Sequence, residues 1–505
     1  MSDFHRFSKW FTAGCLIVSM SAVPAFAAKT TPATDKNTNV PAVPRAIPDF
    51  EPYHNFDPPQ SPAFDLQNLT ISGDMRVRPE FRTNSGFGTN STGAATKDNR
   101  FFTQQFIRLG FNYDLSPDVV FFVQPQVSNN FGANETGQEG TGGINPNGSS
   151  ADLFLRQGYM LIRNFLAPNL TLKAGRQLVV WGNHRIFGHF DWNNVAFSFD
   201  GVTLRYNHAK VPVELGWLVV AEGNCNQNAG GCAVSGGGNG GGYAGDGNIL
   251  FARIPMKVSG IAIEPAWIYE EGGATAANGA GGQRGNQSRH TVGARIAGSA
   301  GIVDATVEGY YQFGRIGPTG GNTFGAGFNR TINAGAFHAD AGVTLPVPMQ
   351  PRIGAEFNWA SGDKNANTSG FGGADTFSQL YPTNHIHFGY MDLMSWQNMM
   401  TFGGNLQMRP TANSHFEIAG HYMRLAEEKD NWYSAGQGIF KTTPGTNNEK
   451  SLGGEIDVVY TLFFQNNKVG WQLGYGHFFT GDYNKKNGFG TADQNWGYTQ
   501  LWINF

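Results

Sequence analysis

The stretch Leu69-Thr-Ile-Ser-Gly-Asp-Met-Arg-Val-Arg-Pro-Glu-Phe-Arg82 reads as one extended segment with two unlike faces. Leu69, Ile71, Gly73, Met75, Val77 and Phe81 fall on one side; Thr70, Ser72, Asp74, Arg76, Arg78, Glu80 and Arg82 fall on the other. Side chains along a β-strand alternate between faces, so this strand is apolar on one face and charged on the other. The pattern recurs down the chain. Ile107, Leu109, Phe111 and Tyr113 oppose Arg108, Gly110, Asn112 and Asp114, and Val202, Leu204 and Tyr206 oppose Thr203, Arg205 and Asn207. Val303, Ala305, Val307, Tyr311 and Phe313 oppose Asp304, Thr306, Glu308, Tyr310 and Gln312. Ile353, Ala355, Phe357 and Trp359 oppose Arg352, Glu356 and Asn358, and Ile456, Val458, Tyr460 and Leu462 oppose Glu455 and Asp457. Short turns such as Ser116-Pro117-Asp118 and Ala167-Pro168-Asn169 interleave with long Gly/Asn-rich connections. The long ones run from Asn129 to Ser150, Gly223 to Asn248, Glu271 to Ser288, Ser361 to Leu380, Glu427 to Lys450 and Gly481 to Asn495.

Composition decides between the all-β solutions. Of 505 residues only 14% are charged, and 69 are Gly, whereas a soluble domain carries about 25% charged residues and about 7% Gly. The 40 Phe, 11 Trp and 16 Tyr exclude disorder, and the absence of a three-residue Gly period excludes collagen. A net charge of -3 gives no nucleic-acid footprint. In a soluble sandwich the apolar faces form the core beneath a charged exterior, and charge is too scarce here for that. No run reaches the roughly 20 apolar residues of a membrane helix. The expected fold is therefore all-β: a transmembrane antiparallel barrel with its apolar faces outward, its polar faces enclosed, short periplasmic turns and long Gly-rich extracellular loops. Closure is required, because an open edge in hydrocarbon leaves backbone groups unpaired. Counting runs predicts roughly sixteen to eighteen strands, a size that encloses an aqueous lumen. Tyr113, Trp181, Trp217, Trp359, Trp471, Trp496 and Trp502 read as interfacial girdles.

The ends divide the chain into three parts. Residues 1–27 read as a signal peptide, with Arg6 and Lys9 before the apolar run Trp10–Val23 and the small-x-small site Ala25-Phe26-Ala27. Residues 28–65 are a Pro-rich, aperiodic periplasmic lead-in, and 66–505 form the barrel. After cleavage Cys225 and Cys232 remain, and in an oxidising compartment they are expected to close a small loop disulfide. The C-terminal run Trp496-Gly-Tyr498-Thr-Gln500-Leu501-Trp-Ile503-Asn-Phe505 ends on an aromatic residue. It resembles the final strand by which outer-membrane barrels engage their assembly machinery.

Several segments, read together, resemble the alginate export family of outer-membrane channels. They are Leu172-Lys-Ala-Gly175-Arg176-Gln177, Phe199-Asp200-Gly201-Val202, Tyr381-Pro382-Thr383-Asn384-His385 and Gly389-Tyr390-Met391-Asp392. They continue through Asp430-Asn-Trp432-Tyr433, Gly453-Gly454-Glu455-Ile456-Asp457 and Gly474-Tyr475-Gly476-His477-Phe478. The resemblance spans about Leu66 to Phe505 and implies an eighteen-stranded barrel that passes an anionic polysaccharide through an arginine-lined constriction. Alternation places Arg76, Arg78, Arg82, Arg108, Arg205, Arg295 and Arg352 on the enclosed face, and the family-like motif adds Arg176. Fixed positive charge between low-dielectric walls concentrates anions, and the arginine fork pairs bidentately with carboxylates. The plain alternative is that these arginines pair with Asp74, Glu80, Glu308, Glu356, Glu455 and Asp457, as in a general porin.

Other chemistry is sparse. His184 with His189 and His385 with His387 do not make a metal site of about four ligands. One Gly-rich stretch, Gly236 to Asn248, is not a calcium-binding repeat. No nucleophile signature places a Ser–His pair. The expectation is a passive channel for an anionic polysaccharide or small anionic solutes, without cofactor, metal or catalytic residues. Its partners would be outer-membrane lipid, the barrel-assembly machinery and periplasmic secretion partners. A general porin for small nutrients and a barrel-anchored hydrolase are the alternatives.

Overall fold

The computed structural model describes residues 64–66, 68–88, 99–131, 151–208, 211–221, 224–226, 231–233, 247–272, 287–316, 330–365 and 374–505. The expected signal peptide, nearly all of the expected lead-in and most of the Gly236–Asn248 stretch lie outside them. Eighteen antiparallel staves follow in chain order: β1 Leu69–Thr83, β2 Asn99–Ser116, β3 Val119–Asn130, β4 Ala151–Ile162, β5 Leu170–Gln177, β6 Phe199–Tyr206, β7 Val213–Ala221, β8 Gly247–Arg253 and β9 Ile261–Gly272. Then come β10 Gln287–Ala300, β11 Val303–Ile316, β12 Arg330–Thr344, β13 Arg352–Ala360, β14 Met399–Met408, β15 Ser414–Leu425, β16 Ser451–Phe464, β17 Val469–Thr480 and β18 Gln494–Asn504. Met256–Val258 extends β8 along the same neighbour, and Phe64–Leu66 pairs back onto the start of β1. Each stave pairs with its neighbours in sequence, and β18 pairs with β1 from Asp74↔Asn504 to Thr83↔Asn495, so the sheet closes.

Phe505 completes the seam. Its N–H and C=O exchange bonds with Gly73 at 3.0 and 2.9 Å. A Cβ on Gly73 would lie 2.4 Å from the Phe505 ring, so glycine leaves room for the terminal aromatic to lie across β1.

The alternation is inverted relative to a soluble protein, as the sequence predicts. On β1, Met75 and Phe81 are 37% and 40% exposed, while Arg76 and Arg78 are fully buried. Val307 and Tyr311 face outward on β11 while Glu308 and Gln312 are buried. The outward aromatic belt is built by stacking across staves: Tyr269 lies 4.7 Å from His290 and His290 5.0 Å from Phe313. Several belt residues fix their polar ends on a neighbouring stave, Trp217 Nε1 on Asn248 and Tyr475 Oη on Asn495. Tyr113 and Trp217 are exposed on this outer surface, and Trp359 and Trp471 lie on it partly covered. Trp181, Trp496 and Trp502 are instead buried, which corrects the girdle expectation for these three. Trp181 belongs to a segment folded inside the barrel, and the other two share the inner face of β18.

Short turns and both barrel termini share one end, and the long connections share the other. Two connections do not follow the expected outer-loop course. Residues 178–198, after β5, and 374–398, before β14, fold into the interior and supply a large part of its apolar core, including Phe187, Trp192, Phe377, Leu393 and Trp396. The barrel wall is lower where they enter: β5 and β6 have 8 residues each and β13 has 9, against 14 or 15 in β10, β11 and β12.

If the exposed faces meet lipid, Val307→Arg should cost about 2–4 kcal/mol of barrel stability, measured by urea unfolding in phospholipid vesicles. A variant as stable as wild type would show that this face does not contact hydrocarbon.

Candidate functional site

Infolded chain at membrane depth must find partners for its backbone groups, and the barrel wall supplies them by sign of charge. On one side, β1, β2 and β4 present arginines. Arg76 Nη1 donates to the Asp191 carbonyl at 2.7 Å and Arg76 Nη2 to that of Trp192 at 2.8 Å. Arg78 Nη1 donates to the Trp192 carbonyl at 2.7 Å, its Nε to Glu80 at 2.8 Å and its Nη2 to Gln104. Arg108 grips the Asp191 carboxylate with both Nη atoms at 3.0 and 2.9 Å, and Arg156 Nη2 reaches the same carboxylate at 2.8 Å. Arg156 also donates to the Phe197 carbonyl and Ser198 Oγ. Burial by itself would raise the Asp191 pKa, but Arg108 and Arg156, then His189, hold it well below the usual carboxylate range. It is therefore ionised.

Other staves present carboxylates. Glu455 accepts from the Met391 N–H at 2.8 Å and Asp457 from the Tyr390 N–H at 3.3 Å. Gly389, at φ 96°, lets the chain come this close, since a Cβ there would sit 2.4 Å from the Glu455 carboxylate. Glu308 and Glu356 flank Arg185 of the first infolded segment at 3.8 and 3.7 Å. Arg82 Nη1 crosses to the Met391 carbonyl at 3.0 Å.

The two segments lock to each other. Gly188 N donates to Tyr381 O at 2.7 Å, Tyr381 N to Ile186 O at 2.9 Å, and Thr383 N to His184 O at 2.9 Å. His387 Nε2 donates to the Asn183 carbonyl at 2.7 Å; burial and the nearby Arg185 push its pKa well down, so the ring is neutral. Trp192 is sandwiched, with the His385 ring stacked 3.7 Å away and the Arg78 guanidinium 3.6 Å from its centroid.

The expected residues divide accordingly. Arg76, Arg78, Arg82 and Arg108 converge on the infolded segments. Arg352 is buried farther round the wall, its guanidinium bonded to both Asp304 oxygens at 2.9 and 2.6 Å. Arg295 pairs with Glu264 at 3.1 Å. Arg205 shares the inner face with Thr203 but lies exposed near the short-turn end. Arg176 departs from expectation: it stands on the outer face with Ala174, opposite exposed Met160's side of β4, and pairs with exposed Asp200 at 2.7 Å. The strand itself alternates without interruption, Leu170, Leu172 and Ala174 sharing the outward parity of Arg176, so it is the family-like motif and not alternation that points it inward. On β4 a register irregularity between the pairings with Gln124 and Pro125 shifts parity next to Arg156. Cys225 and Cys232 oppose each other in a two-stranded ribbon, Asn224–Asn226 with Gly231–Ala233. The His184 and His189 rings meet edge to face at 4.8 Å. Arg156, Arg185 and Asp191 escaped the sequence reading, Arg156 because of the same irregularity and the other two because they lie in a connection without alternation.

A sequence model of the family described as alginate export matches residues 261–498, from β9 into β18. The first two quoted motif segments precede that stretch. No curated protein matches the chain. The fold is shared with solved structures of Pseudomonas aeruginosa proteins. OccK9 (OpdG) superposes with a TM-score of 0.55 at 12% identity, covering 87% of this chain and 99% of its own. OpdO gives 0.52 at 12% identity, with 87% and 98% covered. OpdK, solved with vanillate, gives 0.51 at 9% identity, with 86% and 98% covered.

The buried wall pairs are expected to behave as coupled units. Arg352→Met alone should destabilise by about 3–5 kcal/mol by leaving the Asp304 carboxylate unpaired. Adding Asp304→Asn should recover most of that loss in equilibrium urea unfolding; purely additive losses would contradict the coupling.

Proposed function

We propose that this protein is a passive outer-membrane channel for anionic solutes, with an acidic polysaccharide as the substrate class. The observation that carries the reading is the convergence of Arg76, Arg78, Arg108 and Arg156, all fully buried, at one place in the barrel interior. Four guanidiniums in a low-dielectric enclosure form a strong attractor for carboxylates. The alginate export match over residues 261–498 supports a polymeric anion. OpdK, with vanillate in its structure, supports smaller carboxylates as alternative cargo.

In this reading the chain uses no cofactor and performs no catalysis. Anions enter down their gradient, are held by the arginines, and leave when the next anion competes. Lipid meets the outward faces, the β18 strand ending at Phe505 is the assembly signal, and periplasmic secretion partners supply the polymer. Arg82, Arg205, Arg295 and Arg352 would extend the positive path along the wall. A general porin for small nutrients draws on a different observation, the pairing of wall arginines with wall carboxylates in Arg352–Asp304, Arg295–Glu264 and Arg253–Glu214. Such pairs cancel charge and leave little preference of sign.

Ion-selectivity recordings in planar bilayers decide between the two. The wild-type channel should favour chloride over potassium. Neutralising Arg76, Arg78 and Arg108 together to Gln should raise conductance, because the infolded segment loses its anchors, and abolish the preference. A cation-selective wild type would reject the anionic reading.

A further inference from the structure

We infer that Asp191 is a built-in occupant of a carboxylate-binding site formed by Arg108 and Arg156, and that an incoming uronate carboxylate takes its place. The inference rests on the anionic-channel reading and adds to it the means by which cargo gets past the infolded segment.

The site has the form of a receptor for a foreign carboxylate. Both Asp191 oxygens are bound by the fork of Arg108 at 3.0 and 2.9 Å, and Arg156 adds a third bond at 2.8 Å from another stave. Arg108 is itself oriented by Gln126, whose Oε1 accepts from its Nε at 2.6 Å. Yet the carboxylate so held belongs to a connection, not to the wall. It reaches the arginines at the tip of a segment whose neighbouring residue, Phe190, has φ 59°, a left-handed conformation that bulky side chains avoid. A contact made under backbone strain can be given up when an equivalent contact is offered.

Exchange is what makes release feasible. Withdrawing Asp191 with nothing in its place would leave two buried guanidiniums without their shared counter-charge, which is strongly unfavourable. Replacing it with a second carboxylate keeps them paired and returns Asp191 toward water. A neutral sugar offers no such replacement, so the seat discriminates by charge. Arg76 and Arg78, which hold the carbonyls of Asp191 and Trp192 at 2.7 Å, then exchange those carbonyls for the hydroxyl and ring oxygens of the entering residue.

The test is the block of chloride current through reconstituted channels by glucuronate, by trigalacturonate and by maltotriose. Asp191→Asn keeps the shape and removes the competing charge. Its half-inhibitory concentration for both uronates should fall about tenfold or more relative to wild type, with maltotriose unaffected. Equal uronate sensitivity of the two anion-selective channels overturns the inference and leaves the channel reading intact, whereas a wild-type channel without anion preference fails at the earlier step. Tighter block by trigalacturonate than by glucuronate would identify polymer over monomer as cargo. Should Asp191→Asn not fold, a tethered variant asks the same question. Ser128 Oγ lies 3.0 Å from the Asn194 carbonyl, so the two residues are neighbours, and Ser128→Cys with Asn194→Cys can be bridged by a short bis-methanethiosulfonate to fasten the segment to the wall. The bridged form should lose uronate block and regain it on reduction, beside a wild-type control treated identically; block that is indifferent to bridging overturns the inference.

Discussion

Hydrocarbon accepts no unpaired backbone N–H or C=O, and this constraint organises the molecule twice over. At the perimeter it forces eighteen staves into a closed ring whose last bonds are made by Phe505 on Gly73. Inside, it governs the two connections that enter the barrel. Apart from one 3-10 turn, Asn384–Ile386, and two isolated bridges they are neither helix nor sheet, so the wall must satisfy much of them with side chains. Arginines of β1 and β4 take carbonyls, the arginine of β2 takes the Asp191 carboxylate, and carboxylates of β16 take N–H groups. The charged faces are therefore a socket for irregular chain as well as a polar lining.

That division explains why buried charge is tolerated at such density. A guanidinium away from water is costly unless its donors are used, and a carbonyl that has left regular structure needs a donor. Each solves the other's problem. The same logic places Trp192 between Arg78 and His385, where a flat ring covers a guanidinium from water without competing for its N–H groups. Low walls at β5, β6 and β13 complete the arrangement, since the chain turns inward before the stave has run its full height.

Much of the fold was legible because period-two alternation and the alternation of short with long connections are written locally. β1, β11 and β16 behave as their residues indicate, apolar side out. The interior was less legible. The stretch from Trp181 to Phe197 has no alternation and little glycine, and was passed over as connection, although its Trp, Phe and Ile content is unlike a hydrated loop. Density of apolar residues in a segment between strands is the signal that would have found it. Arg176 shares the parity of Leu172 and Ala174, so alternation alone turns it outward and only the family-like motif points it inward; Arg156 escapes for a geometric reason. A single irregularity on β4 exchanges inside for outside downstream of it, and nothing in the residues themselves marks where an extra one is accommodated.

The buried arginines are thus already in use, and this is where the architecture meets the proposed transport. An arginine bound to a carbonyl and one bound to a carboxylate differ in what can displace their partner. The carbonyls held by Arg76 and Arg78 are part of the chain and are neutral, so any anion improves on them electrostatically. The carboxylate held by Arg108 and Arg156 is matched only by another carboxylate. On the proposed reading two grades of seat stand side by side, the looser one on carbonyls and the stricter one on a carboxylate. With both on one segment, the segment would move as a unit, and passage would be governed by the group that is hardest to imitate.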